Sequence, residues 1–256
     1  MRDYGSLVRG EASLGIFSRI MGEISIPHRY TRHSPAKCRA ILFDLDGTLA
    51  DTAPGLLFAL NQVIAEEGSA SPLSLGDIHP LVSQGGRAMA RRAFGIDPET
   101  PDFSRLFERF LAVYRDNIAT RTRLFSGMEA VLAQIEARAM PWGVVTNKSG
   151  YLTNPLMKAL GLDRRAACIV SGDTTTHRKP YPDPLLLACR QLGTIPPICL
   201  YIGDAAKDIE AGLRAGTHTA VALFGYISPS EEPKMWGADC LFSSPQDIFD
   251  WLVDSP

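Results

Sequence analysis

A chain of 256 residues, 45% hydrophobic and 21% charged, with a formal net charge of −2, is long enough for one or two domains around a full core. It carries no basic excess of the kind that nucleic-acid binding leaves in a composition, and no apolar run approaches the roughly 18 residues of a membrane span. Its five cysteines, Cys38, Cys168, Cys189, Cys199 and Cys240, are scattered and odd in number, which reads as buried reduced thiols of a cytoplasmic protein and not as disulfides or metal ligands.

Residues 1–37 combine Gly5, Gly10, Gly15 and Gly22 with several arginines, and only Ile16, Phe17, Ile20, Met21 and Ile24 form a helical stripe. Glycine at that density weakens a helix, and the continuous apolar stretch of a secretory signal is missing. We expect an appended leader, dispensable for folding, with Met21 as an alternative start. The other reading is an extra helix docked on the core.

Ala40, Ile41, Leu42 and Phe43 form an apolar run ended by D-L-D-G-T, which predicts a buried parallel strand that stops at Asp44. In open α/β sheets the ligand crevice lies beyond the carboxyl ends of the strands, so Asp44 and Asp46 are expected on its floor. Their i, i+2 spacing in extended chain puts both side chains on one side. Gly47 permits a tight reversal, and Thr48 is expected to tie the turn to the backbone. Two such carboxylates suit phosphate-ester hydrolysis, one attacking phosphorus and one protonating the leaving oxygen; a divalent cation would neutralise the repulsion between the first and the phosphoryl oxygens.

Leu56, Leu57, Leu60, Val63 and Ile64 recur at helical spacing between Pro54 and Gly68, and the pattern stays helical to about Phe125. Met89 and Phe94 bound one candidate helix; Leu106, Phe107, Phe110, Val113 and Tyr114 mark another. Ahead of the first, Ser83-Gln84-Gly85-Gly86-Arg87 puts two glycines and a guanidinium at a helix entry, where an anion can meet backbone N–H groups and Arg87; from these residues alone a plain helix entry with a solvated Arg87 is the simpler reading. Met128, Val131, Leu132 and Ile135 predict an amphipathic helix, and Trp142 to Val145 a strand ending at Thr146 and Asn147.

Ile169 and Val170 belong to the next strand, followed by a polar loop in which His177 and Arg178 read as ordinary loop residues and Lys179 precedes a proline that holds it extended. A cation aimed from there can offset the charge of Asp44 and a phosphoryl group. The run C-L-Y-I-G-D then brings Asp204 to the same crevice, with Asp208 four residues on. Hard oxygen ligands with room for water suit magnesium better than zinc. Ala206 to Gly216 reads as a helix and Thr219 to Leu223 as a further strand. Tyr226 and Trp236 in the following loops are read as core cover.

Taken in order, D-x-D-G-T, V-V-T-N-K, K-P-x-P and G-D-x-x-x-D resemble the four motifs of the haloacid dehalogenase-like (HAD) phosphatases, and the resemblance spans 40–253. It implies an α/β fold, a doubly wound (Rossmann-like) parallel-sheet core at 38–53 and 126–256, with the helices of 54–125 as a small cap inserted after the first core strand, as in the phosphoglycolate phosphatase-like branch. It implies an aspartyl-phosphate on Asp44, with Asp46 as general acid and then base and Lys179 as the catalytic cation. Thr146 would hold a phosphoryl oxygen and Asn147 would orient the substrate. Magnesium would be bound by Asp44, Asp46 and Asp204 and supported by Asp208. Family members often carry Asp or Ser in place of Ala205, so one outer hydrogen bond is expected to be missing.

The stretches S-x-G-G-R-A-M, L-F-x-G-M, W-G-V-V-T-N-K and G-Y-I-x-P with P-x-x-W-G-A-D are similar to the group of these enzymes that acts on N-acetylmuramic acid 6-phosphate in peptidoglycan recycling. The implied partner is thus a small-molecule phosphate monoester, read in the cap by Arg87, with the protein a monomer or homodimer. The alternatives are 2-phosphoglycolate as substrate, or a HAD-like binding protein without turnover.

Overall fold

The computed structural model describes residues 38–68 and 71–254, so the reading of residues 1–37 lies outside the described residues. Strand β1 (Ala40–Phe43) is wholly buried. It lies between β4 (Trp142–Val145) and β6 (Cys199–Gly203), with β5 (Cys168–Val170) beyond β4 and β7 (His218–Ala222) and β8 (Cys240–Phe242) beyond β6. All six strands run parallel.

Alternate residues of β1 enter different clusters, as strand periodicity requires. Ala40 and Leu42 pack with residues of α7 (Asp183–Gln191) and α8 (Ala206–Ala215), whereas Ile41 and Phe43 pack with residues of α5 (Met128–Ala137) and α9 (Pro245–Asp254). Helices on both faces therefore make the sheet doubly wound, as the motif order predicts. Each fully buried Ile, Leu or Phe in this arrangement contributes about 1.5–3 kcal/mol.

The helical insert after β1 consists of α1 (Ala53–Glu66), α2 (Leu75–Val82), α3 (Gly86–Phe94) and α4 (Pro101–Asp116). Its two ends are joined by a short antiparallel pair, β2 (Ala50–Asp51) against β3 (Arg123–Leu124), so the chain leaves and re-enters the core at one place. Helix α1 packs along α4, with Arg109 and Arg105 of α4 paired to Glu66 and Glu67 at 2.8 and 2.7 Å. Sequence periodicity does not reveal α2, whose interior holds Pro80, nor the two-residue strands, nor α6 (Gly150–Ala159), which holds Pro155. The short strand β8 and helix α9 likewise escape it. Among the described residues no helix is long and apolar enough to cross a membrane.

Candidate active site

The register aligns the carboxyl ends of the central strands. Phe43 pairs with Val144 on one side and Ile202 on the other, so Asp44, Thr146 and Asp204 emerge along one edge of the sheet. Asp44 N–H continues the ladder to the Ile202 carbonyl at 2.8 Å, and Thr146 N–H does so to Val170 at 2.9 Å. The chain then reverses at Gly47, whose φ of 87° is left-handed. A Cβ at this position would run into the Asp204 carboxylate, so glycine is required both by conformation and by space. Thr48, expected to hold its own turn, instead donates its hydroxyl to Asp204 Oδ1 at 3.2 Å.

Lys179 is fully buried, with Nζ 2.9 Å from Asp44 Oδ1, 2.6 Å from Asp208 Oδ1, 2.7 Å from the Tyr201 hydroxyl and 3.0 Å from the Val145 carbonyl. Burial alone would lower the pKa of such an ammonium, but Asp208 and Asp44 outweigh it and the pKa rises. The lysine is therefore held as a cation. Asn147 fixes its backbone from both sides: Oδ1 accepts the Lys179 N–H at 3.0 Å and Nδ2 donates to the Lys179 carbonyl at 2.9 Å. Thr146 Oγ1 accepts from Lys148 N–H at 3.2 Å, which leaves its own proton to donate.

One carboxylate oxygen from each of Asp44, Asp204 and Asp208 lies within 4.8 Å of the others. Burial pushes the Asp44 carboxyl up to about 6 against the pull of Lys179, and it raises Asp204 well above the usual carboxylate range, with Asp44 and Asp208 adding repulsion. Buried, mutually repelling hard oxygen donors fit a divalent cation, which would relieve that repulsion. Asp204 is braced by Tyr226 N–H at 2.9 Å and by the Ser83 hydroxyl at 3.4 Å. Asp208 has its oxygens engaged with Lys179 and with the Ala205 N–H at 3.0 Å. Asp46 points to other partners: its Oδ1 accepts from Thr52 Oγ1 at 2.6 Å and from Lys148 Nζ at 2.9 Å.

Asp44, Asp46, Thr146, Asn147 and Lys179 line one cavity of about 680 Å³, whose other wall is the 83–87 stretch with Met89, Phe107, Phe110 and Leu111 of the insert. Arg87 lies on this wall too. Its guanidinium stacks 5.1 Å from the centre of the Phe103 ring and 5.7 Å from that of Phe107, and Nη2 donates to the Pro98 carbonyl at 3.1 Å.

Three contributors, Lys148, Lys207 and Tyr201, were not singled out from sequence, and a fourth, Tyr226, was read only as core cover. Lys148 is buried against Asp46, with Nζ 4.7 Å from the centre of the Tyr114 ring. Lys207 donates to the Ser83 carbonyl across the core–insert boundary. Tyr201 and Tyr226 supply a hydroxyl and a backbone N–H to the acidic cluster. A tyrosine in the otherwise apolar C-L-Y-I-G strand is a usable signal, because a buried phenol needs a partner.

Residues 41–222 match the family of haloacid dehalogenase-like hydrolases. The chain is 41% identical over 216 residues to the N-acetylmuramic acid 6-phosphate phosphatase of Pseudomonas aeruginosa, covering 84% of this chain and 95% of that protein. It is 38% identical over 213 residues to the phosphoglycolate phosphatase of Xanthomonas campestris pv. campestris, covering 83% and 95%. A crystal structure of a predicted phosphoglycolate phosphatase from Haemophilus somnus 129pt has a TM-score of 0.74 and 25% identity, covering 83% of this chain and 97% of that one.

Proposed function

The chain belongs to the haloacid dehalogenase-like hydrolases, and from that premise we propose that it is a cytoplasmic, magnesium-dependent phosphatase acting on N-acetylmuramic acid 6-phosphate. The observation that carries this reading is the cavity floor, where Asp44, Asp46, Thr146 and Lys179 converge beneath a roomy insert. Residues 54–125 serve as a cap over a core of 38–53 and 126–256, and the protein works as a monomer or homodimer.

An Asp44 carboxylate oxygen attacks phosphorus. The P–O bond to the sugar breaks, its electron pair stays on the sugar oxygen, and that oxygen takes the proton carried by Asp46. In the second half Asp46, now a carboxylate, removes a proton from water; the water oxygen bonds to phosphorus and the Asp44–phosphorus bond breaks, releasing phosphate. Lys179, already 2.9 Å from Asp44, keeps a positive charge beside the reacting group through both halves. Thr146 donates its hydroxyl to a phosphoryl oxygen, and Asn147 holds Lys179 in place. Magnesium would be held by Asp44, Asp46 and Asp204 with Asp208 in support, and would supply positive charge against the phosphoryl oxygens.

The size of the cavity favours the sugar. A volume of about 680 Å³ is that of a site for ligands of sugar-phosphate size or larger, and a two-carbon acid would leave most of it to water. Its apolar wall of Met89, Phe107, Phe110 and Leu111 suits a ring face and an acetyl methyl. The deciding comparison is kcat/KM for N-acetylmuramic acid 6-phosphate, N-acetylglucosamine 6-phosphate and 2-phosphoglycolate. The first should exceed the third by at least about tenfold, roughly 1.4 kcal/mol of transition-state discrimination. A preference for 2-phosphoglycolate would overturn this substrate while leaving the phosphatase chemistry intact.

A further inference from the structure

Five cationic side chains line the cavity: Arg87, Lys148, Arg178, Lys179 and Lys207. Four have partners. Lys179 is held by Asp44 and Asp208, Lys148 by Asp46, and Lys207 by the Ser83 carbonyl. Arg87 is laid on Phe103 and Phe107 and bonded to Pro98. Among the described residues, the guanidinium of Arg178 alone of the five has no hydrogen bond, ion pair or ring contact. We propose that Arg178 is a specificity-determining residue that binds a carboxylate on the part of the substrate remote from its phosphate.

The backbone supports this assignment. Arg178 immediately precedes Lys179, whose N–H and C=O are both clamped by Asn147, and the Arg178 carbonyl accepts from Tyr181 N–H at 3.0 Å. The point from which the side chain springs is therefore fixed relative to Asp44, and only the exposed side chain remains to be ordered by a ligand. A planar guanidinium with five donors matches a carboxylate in two parallel hydrogen bonds. Asp44 and Asp46 put two carboxylates on the floor of the cavity, which disfavours a second anionic group of the substrate there, and the exposed Arg178 lines the same cavity with its guanidinium unengaged. Specificity for an acid is thereby placed on the core loop next to the catalytic lysine as well as on the cap.

This inference rests on the phosphatase reading above, and its test separates the two. N-acetylmuramic acid 6-phosphate and N-acetylglucosamine 6-phosphate share phosphate, ring and acetyl group and differ by the lactyl carboxylate. The wild-type protein should prefer the first, and Arg178→Gln should lower the ratio of the two kcat/KM values by about tenfold or more, mainly through KM for the acid. Arg178→Lys should recover only part of the ratio, since it restores charge without the fork. Arg87→Gln should disturb the ratio less than Arg178→Gln. An unchanged ratio in Arg178→Gln, whether both substrates fall together or neither does, overturns the proposal, as does a larger collapse in Arg87→Gln. Failure of the wild-type protein to turn over either ester while it hydrolyses 2-phosphoglycolate would refute the sugar-phosphate substrate and this inference with it, and failure on all three esters would refute the phosphatase reading itself.

Discussion

Asn147 grips Lys179 through both of its backbone hydrogen-bonding groups, at 3.0 and 2.9 Å, and this clamp is what aims a fully buried ammonium at Asp44. The amide of Asn147 sits at the end of β4 and Lys179 in the loop after β5, so two strand ends are tied into one unit. Replacing Asn147 with Ala should let the lysine drift and leave its backbone groups unmet. We expect kcat to fall by about 10–100-fold, in keeping with the cost of a misplacement on the scale of 1 Å, together with a stability loss of about 1–3 kcal/mol. Wild-type kcat in Asn147→Ala would show that Lys179 is held adequately by its four side-chain and carbonyl contacts alone.

Covalent catalysis on Asp44 makes two different predictions for the two carboxylates of the D-x-D turn. Asp44→Asn should remove turnover and, on acid quenching after incubation with radiolabelled substrate, any phosphorylated protein. Asp46→Asn should slow both halves by about 10²–10⁴-fold, the usual worth of a positioned acid–base group, yet still leave trapped phosphate on the chain. Comparable phosphorylation of Asp44→Asn and the wild type would place the nucleophile elsewhere.

The acidic cluster links metal binding to pH. Asp44 and Asp204 have pKa values raised by burial, Asp44 to about 6, so the folded state binds protons that the unfolded state, with aspartates near 3.9, has released. The stability they contribute is therefore present below about pH 4 and is lost as pH rises through their raised values, about 6 for Asp44. Magnesium competes with those protons. Its stabilising effect on the EDTA-treated protein, read as a shift in Tm, should be larger at about pH 7.5 than at about pH 5. A magnesium-induced shift independent of pH would argue against binding at Asp44 and Asp204.

Within the cluster, Asp204 and Asp208 should behave differently. The oxygens of Asp208 serve Lys179 and the Ala205 N–H, whereas Asp204 is braced by Thr48, Ser83 and the Tyr226 backbone and is otherwise available to a cation. Asp204→Ala should raise the magnesium concentration needed for half-maximal activity far more than Asp208→Ala. The latter should instead reduce kcat at saturating magnesium, because Lys179 loses a partner at 2.6 Å. Titrations of activity with magnesium for the two variants distinguish these patterns, and the reverse order would exchange their roles.

The strand ends were legible because a short apolar run stopping on Asp44, Thr146 or Asp204 states both the element and the place of the polar group. The sheet then assembles those groups without further information. What escaped were features that exist only across long separations. Nothing local to Tyr226 indicates that its N–H meets Asp204, and the Asn147 amide, expected from the motif to orient the substrate, shows its hold on Lys179 only once the loop after β5 is placed against it. Helix α2 was hidden because Pro80 interrupts its pattern and only Ile78 and Val82 are buried. Lys148, although the last residue of the recognised V-V-T-N-K motif, needed Asp46 and Tyr114 to arrive from two other elements before its role as a buried cation became apparent.

Tyr226 offers a test of how the insert is joined to the acidic cluster. Its hydroxyl donates to Asp51 Oδ1 at 2.6 Å on β2 and accepts the Ala53 N–H at 2.9 Å at the start of α1. Its backbone N–H holds Asp204, and its ring lies 4.8 Å from His79 of α2. One residue thus touches the junction, the cap and a carboxylate of the proposed metal site. Tyr226→Phe keeps the backbone bond and the ring but strips the junction of its shared hydroxyl, leaving the Ala53 N–H without its partner and Asp51 Oδ1 without its short bond. We expect a loss of about 1–3 kcal/mol in unfolding free energy and faster amide hydrogen exchange confined to the junction around Ala50 to Leu56 and to β3, with the exchange of β1 and β6 unaltered. Magnesium affinity should change little, since the Tyr226 N–H remains on Asp204. Exchange that accelerates evenly through the sheet would mean that the hydroxyl supports the core as a whole, and unaltered exchange at the junction would mean that it does not restrain the cap.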